Sequence, residues 1–280
     1  MKRALGVAAA VAMAVPGPAL AKGLTERLQV FPSHPRVGRP VTLQLRPYEL
    51  GSPAFLGQDF AWRVTAHLPG RHPHRITLVR QTRDPYVWSG RIRFRSPGRW
   101  KISVEGNQAS VMKFDVPVRR GRPSVWERLE RPFIAQTVPF GSRCPTASPD
   151  PRGSLSRIGF VGTAWGPGPI YPAGLGNDAP VLRYSYPPAP ETGWGDWGGN
   201  KINWLRDLAY PGPVLIRGLR LDGPDELRFN DGRLPSLSMR QKGRSNPSYT
   251  RVRIPGCYAY QVDGTTFSDT IAFEAKLYGS

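Results

Sequence analysis

Pro97-Gly98-Arg99-Trp100-Lys101-Ile102-Ser103-Val104-Glu105-Gly106 is the stretch on which the fold turns. A Pro-Gly pair makes the entry turn. Trp100, Ile102 and Val104 then alternate with Lys101, Ser103 and Glu105, the period of a strand with one buried and one wet face. The pattern returns in Pro255-Gly256-Cys257-Tyr258-Ala259-Tyr260-Gln261-Val262-Asp263-Gly264. Each copy ends in an acidic residue and Gly, and each precedes one more strand, ending Lys113-Phe114-Asp115-Val116 and Ala272-Phe273-Glu274-Ala275. The reading is the terminal hairpin of a sandwich, present twice, so the chain is expected to hold two sandwiches of common architecture.

Working outward from the first copy, short alternating runs cover residues 25–118. They are Arg27 to Phe31, Val41 to Leu45, Phe60 to Ala66, Ile76 to Arg80, Val87 to Phe94, Trp100 to Val104 and Val111 to Val118. Seven runs separated by Gly/Pro turns predict an immunoglobulin-like β-sandwich. Residues 119–156 read as a connector. Within it Ser124, with Glu127 three residues later, predicts a capping box opening a short helix through Arg131. Residues 157–280 form the second unit, opened by Ile158, Phe160 and Val161. Its strands are interrupted by two Gly/Pro loops, Trp165 to Asn177 and Pro187 to Asn200. Asn230-Asp231-Gly232 predicts a hairpin turn between Glu226–Phe229 and Leu234–Met239. The expected class is all-β: two immunoglobulin-like sandwiches, at 22–118 and 157–280, joined by the 119–156 linker.

The N-terminus adds a compartment. Met1-Lys2-Arg3 is basic, Ala4 to Val15 carries no charge, and Ala19-Leu20-Ala21 follows a Pro-Gly-Pro break. This is the pattern of a cleavable signal peptide over residues 1–21. Twelve apolar residues are too short for a membrane span, which needs about 20. The mature chain is expected to be secreted, without a transmembrane segment. Cys144 and Cys257 are the two cysteines. In an oxidising compartment such a pair is expected to form a disulfide.

Gly and Pro number 31 each, abundant where strands alternate with turns. The formal charge is +19, with 39 Lys and Arg against 20 Asp and Glu. The basic residues are scattered without a run of five. They read as GC-rich coding composition, with an anionic cell-wall polymer or lipid headgroup as the functional alternative. Nucleic acid is not expected as a partner of an exported chain.

A resemblance joins these readings in the second unit. Gly212-Pro213-Val214-Leu215-Ile216-Arg217-Gly218 with Leu221-Asp222-Gly223-Pro224, Pro247-Ser248-Tyr249-Thr250-Arg251-Val252, and Pro255-Gly256-Cys257-Tyr258 through Val262-Asp263-Gly264-Thr265 resemble a family of secreted bacterial proteins of unknown function. It spans roughly residues 158–275 and implies an Ig-like C-terminal domain. It implies no activity.

His67, His72 and His74 lie close in sequence but bring no Cys or carboxylate to complete a metal site, and read as a solvated basic hairpin. No metal or cofactor is expected. The second unit has no histidine to serve a nucleophile. Asp178, Glu191 and Asp196 are loop carboxylates with nothing to pair them as a glycosidase would need. Trp165, Tyr171, Trp194, Trp197 and Trp204 remain, set among glycines and prolines. The candidate ligand site is therefore Trp194, Asp196 and Trp197, with Trp165: indole faces to stack on sugar, and Asp196, Lys201 and Arg206 for hydroxyls and acidic groups. The competing reading has these rings filling space under the loops. The expected function is a secreted, non-catalytic interaction or structural protein of the bacterial cell envelope. Its partner would be a wall polymer or another envelope protein. The alternatives are a carbohydrate-binding module using the loop tryptophans and a hydrolase using the loop carboxylates.

Overall fold

The computed structural model describes residues 24–49, 51–106, 111–150, 162–186, 195–240 and 243–279. The signal peptide, Ile158, Phe160, Val161, Glu191 and Trp194 lie outside them.

The chain is all-β, as two packed pairs of sheets. The first sandwich uses β1 (Leu24–Phe31), β2 (Pro40–Glu49), β3 (Arg63–His67), β4 (His74–Ile76), β5 (Val79–Arg80), β6 (Trp88–Arg93), β7 (Gly98–Glu105) and β8 (Met112–Val118). One sheet runs β1-β2-β6-β5 and the other β4-β3-β7-β8. This is the two-sheet scheme of an immunoglobulin constant-type domain with one strand added to the CFG sheet. The run Ile76 to Arg80, read as one strand, is two. Ile76 belongs to β4 and Arg80 to β5, and the chain changes sheets between them. Val41, Leu43, Leu45, Val64, Ala66, Trp88, Trp100, Ile102 and Val104 fill the space between the sheets.

The second sandwich is again two sheets, here of four and five strands. β9 (Ile170–Ala173), β11 (Gly198–Arg206), β13 (Arg228–Phe229) and β15 (Ser245–Val252) make one sheet in the order β13-β15-β11-β9. β10 (Val181–Tyr184), β12 (Val214–Arg220), β14 (Ser236–Met239), β16 (Gly256–Asp263) and β17 (Ser268–Leu277) make the other, β10-β17-β16-β12-β14. Two expectations are corrected here. β9 lies inside the stretch read as a Gly/Pro loop; Pro172 is tolerated because β9 is an edge strand. The Asn230-Asp231-Gly232 turn does form, with Asn230 at φ 55° and Gly232 at φ 85°. Yet the strands flanking it part company: only the Phe229–Leu234 bridge pairs them, β13 joins β15, and β14 joins β12.

The two terminal hairpins are equivalent elements. β7 pairs with β8, and β16 pairs with β17. In each, the aromatic two residues after the entry glycine is buried and bonds back four residues. Trp100 Nε1 donates to the Ser96 carbonyl at 3.0 Å. Tyr258 Oη donates to the Ile254 carbonyl at 2.8 Å. The second is the tyrosine corner of immunoglobulin-type domains, and the first is the same device built with an indole.

β16 is buried on both faces, which alternation alone does not explain. Tyr258, Tyr260 and Val262 point into the sandwich. Cys257 and Ala259 point out, under Phe133, Ala135 and Val138 of the connector, with Leu219, Leu221, Ala272 and Phe31 in the same cluster. The connector begins with α1 (Val125–Leu129), capped as its sequence predicts: Glu127 N–H donates to Ser124 Oγ at 3.2 Å and Ser124 N–H donates to Glu127 Oε2 at 2.6 Å.

After α1 the connector runs between the sandwiches, held by one buried glutamine from each. Gln44 of β2 donates from Nε2 to the Phe133 carbonyl (3.1 Å) and accepts the Phe133 N–H (3.2 Å). Gln261 of β16 donates to the Pro132 carbonyl (3.0 Å) and accepts the Ile134 N–H (2.8 Å). An extended backbone points successive N–H and C=O groups to opposite sides, so the same three residues satisfy both sandwiches at once. Asp84 adds a carboxylate to the Thr137 N–H and hydroxyl, both at 2.8 Å. The Val138 N–H donates to Leu221 and the Ala147 N–H to Ala272.

Candidate functional site

The seam between the sandwiches opens into a cleft of about 540 Å³. β1 contributes one wall, β12 and β14 the other, and α1 closes an end. Its charged groups are mostly engaged with the protein itself. Arg27 Nη1 donates across the seam to the carbonyls of Pro224 (2.7 Å) and Asp225 (3.1 Å). Burial lowers its pKa, with Glu226 opposing the shift. Glu127 is held by Arg36 at 2.7 Å, and Glu130 accepts the N–H and hydroxyl of Ser33. Arg217 lies at the base, 5% exposed. Its guanidinium sits over Phe133 (4.7 Å) and Phe31 (5.3 Å), and Nη2 donates to Asp263 at 2.6 Å. Such a pair is costly to desolvate but costlier to break singly. The cleft therefore reads first as a structural seam, with serine hydroxyls of Ser236 and Ser238 on its rim.

The aromatic residues singled out from sequence are placed differently from one another. Trp165 is 3% exposed and its Nε1 donates to the Gly176 carbonyl at 2.8 Å. Trp197 is 9% exposed. It packs so closely on the Gly232 turn that a methyl there would lie 2.6 Å from the ring. Arg253 covers it at 4.2 Å and pairs with Asp196 at 2.8 Å. Trp204 is buried with its Nε1 on Ser248, and Tyr171 of β9 is buried in a cluster with Ala164 and Leu205. Neither Trp165 nor Trp197 offers an open indole face for a sugar. The rings occupy space beneath the loops because an indole gains more from burial than from stacking in water. Lys201 is exposed on β11, whereas Arg206 is buried with Nη1 on the Gly212 carbonyl.

Cys144 and Cys257 are joined, with Cα atoms 5.3 Å apart, tying the connector to β16. Asp178 is exposed. His67, His72 and His74 are exposed too, and among the described residues no group of three or more His, Cys, Asp or Glu is gathered as a metal ion would require.

Sequence reading missed the buried arginines. Arg46, Arg217, Arg220 and Arg251 are interior, which a scattered basic composition does not reveal. Arg46 is pulled down to about 10 by burial, with the Asp84 carboxylate opposing. Arg220 loses hydration on burial, but Asp222 and Asp225, each at 2.6 Å, more than offset that and hold it charged. The signal for Arg217 and Arg220 is their place in Val214–Leu221, whose apolar residues do not alternate strictly with polar ones, as in a strand covered on both faces.

No family model and no curated protein matches the chain. Among solved structures, it is similar over 91% of its length to the Yersinia pseudotuberculosis adhesin InvE (TM-score 0.27, 6% identity, 60% of that chain). It is similar over 92% to the tandem Ig repeats of Dlar (TM-score 0.24, 12% identity, 98% of that chain). It is similar over 93% to a Salmonella alpha-2-macroglobulin (TM-score 0.29, 10% identity, 15% of that chain). The chain thus spans less than two thirds of the adhesin. At these scores nothing about function rests on the likenesses, and the fold class stands on the strand topology.

Proposed function

We propose that this chain is a secreted, non-catalytic interaction or structural protein of the bacterial cell envelope. One observation carries the reading: the Gln44 and Gln261 clamps seat the connector between two Ig-type sandwiches, so that the pair presents its outer surfaces as one body. A binding or structural protein gains from such preorganisation, because surfaces already fixed in relation cost less to order on contact. The Cys144–Cys257 disulfide supports export, since such bonds persist in oxidising compartments.

The test is fractionation of the producing cell followed by sedimentation of the purified chain with washed envelope. The protein is expected outside the cytoplasm, starting at Lys22, without free thiol, and retained by envelope. A cytoplasmic chain with an intact Met1, or one that never sediments with envelope, contradicts the reading.

A further inference from the structure

Four sheets give this molecule four outer faces, and three of them are at least partly covered. Phe31, Gln44 and Arg46 on the β1-β2-β6-β5 face turn to the connector. Leu219, Cys257, Ala259 and Ala272 on the β12-β16-β17 face lie beneath it. On the β11-β15 face, Leu205 and Arg251 are fully buried. The β4-β3-β7-β8 face differs. The pairing places Arg63, Thr65, His67, Arg75, Arg99, Lys101, Ser103, Glu105, Lys113, Asp115 and Pro117 on its outer side. None of these is buried.

That face carries five cations against two carboxylates, a net +3 before any histidine is counted. Arg63 meets Glu105 at 3.2 Å and Arg99 meets Asp115 at 3.8 Å, in pairs that remain largely exposed. Lys101, Lys113 and Arg75 are the surplus. Arg75, Thr65, Ser103 and Lys113 form one row across four strands. At about 4.8 Å per strand the row spans about 14 Å, and Lys101 stands two residues along β7 from Ser103, about 7 Å from that row. Hydroxyls of Thr65 and Ser103 lie between the cations. Among the described positions paired across this face only Pro117 is apolar, and exposed Val111 lies just before β8. A protein partner of ordinary affinity would want a buried aromatic or aliphatic anchor, and stable seating on a lipid surface adds inserted apolar groups to the charge attraction. A hydroxylated, cationic grid suits neither. It suits a flexible chain of repeated anions, held by many screened contacts at once.

We propose that the outer face of the β4-β3-β7-β8 sheet is a docking surface for an extended polymer of repeated phosphate groups, with Arg75, Lys101 and Lys113 as its principal cations. The inference rests on the reading of the chain as an exported envelope protein and names the surface and partner chemistry within it.

Linear polyphosphate is the probe, titrated into the intact disulfide-bonded protein at 50 mM salt. Native protein binds, and affinity falls steeply as salt rises, because each contact releases condensed counterions. The triple variant Arg75→Ser/Lys101→Ser/Lys113→Ser loses at least tenfold in affinity, and the slope of log K against log salt drops by about 2 to 3. A charge-matched control, Arg39→Ser/Arg91→Ser/Arg95→Ser, removes three exposed cations away from this face and changes affinity less than twofold. Lys101→Glu alone, its fold checked by melting, loses at least threefold. Vesicles containing phosphatidylglycerol retain no more native protein at 100 mM salt than neutral vesicles do. Equal losses in both triple variants reduce the effect to net charge and overturn the proposal. So does capture by the anionic vesicles as tight as by polyphosphate. Native protein that ignores polyphosphate yet sediments with envelope sinks this inference and leaves the envelope reading standing; failure of both removes both.

Discussion

Replacing Gln44 with Leu keeps volume and apolar fit while deleting the amide that holds the connector to the first sandwich. Two backbone groups, the N–H and C=O of Phe133, then lose their partners in a buried seam. Each such group costs about 1–3 kcal/mol, so the variant should lose about 2–6 kcal/mol. With an unfolding entropy of roughly 2 cal/mol/K per residue over the mature chain, this lowers a joint melting transition by about 4–11 °C. The loss should fall on coupling, because Gln44 lies on the outer face of its sheet and the first core does not use it. Calorimetry of the native chain should therefore show one transition, and Gln44→Leu should show a lowered one that divides into two as the sandwiches melt separately. A single transition within 1 °C of native would refute the clamp.

Other outcomes follow from particular contacts. Removing both cysteines, as Cys144→Ala/Cys257→Ala, opens a loop with a sequence separation of 113, which the chain-entropy model values at about 4–5 kcal/mol as an upper figure; chemical denaturation that shows a loss below 1 kcal/mol contradicts this. Glu26 is 3% exposed, its carboxylate oxygens have no hydrogen-bond partner among the described residues, and burial pushes its pKa up to about 7. The folded chain then holds a proton that the unfolded chain releases, so native stability falls between about pH 4.5 and 7. Glu26→Gln should match native at pH 4 and exceed it by up to about 3 kcal/mol at pH 8, whereas a difference independent of pH rejects the assignment. Tyr258→Phe leaves the Ile254 carbonyl without its donor and should cost about 1–3 kcal/mol in urea titrations. Trp100→Phe should show a loss of the same kind plus that of the smaller ring.

The terminal hairpins were legible because their information is local. A Pro-Gly entry, a two-residue period and an acidic-Gly exit lie within ten residues, and the fold placed both copies at the same position in the sandwich. The α1 cap was legible for the same reason, since Ser124 and Glu127 need only each other. What sequence concealed depends on residues far apart. β16 reads as alternating until the connector covers its second face, and Gln44 and Gln261 look like ordinary surface amides until residues 132–134 lie between them. The arginines misled because composition cannot tell Arg217, stacked on Phe133 and paired with Asp263, from Arg75, open to water. β9 was hidden by its flanking glycines and prolines, which serve an edge strand as well as a loop. The loop tryptophans read either as sugar-stacking rings or as filling beneath the loops, and the described ones are buried, Trp197 enclosed by the Gly232 turn and Arg253.

Whether the connector fixes the two sandwiches as one body is read from the distance between them. Spin labels attached through non-cysteine chemistry at the exposed positions Lys101 and Lys201 leave the disulfide intact and report that distance by pulsed dipolar spectroscopy. The account predicts a single narrow distribution in the native chain that broadens in Gln44→Leu. A broad distribution in the native chain, unchanged by the substitution, would contradict it.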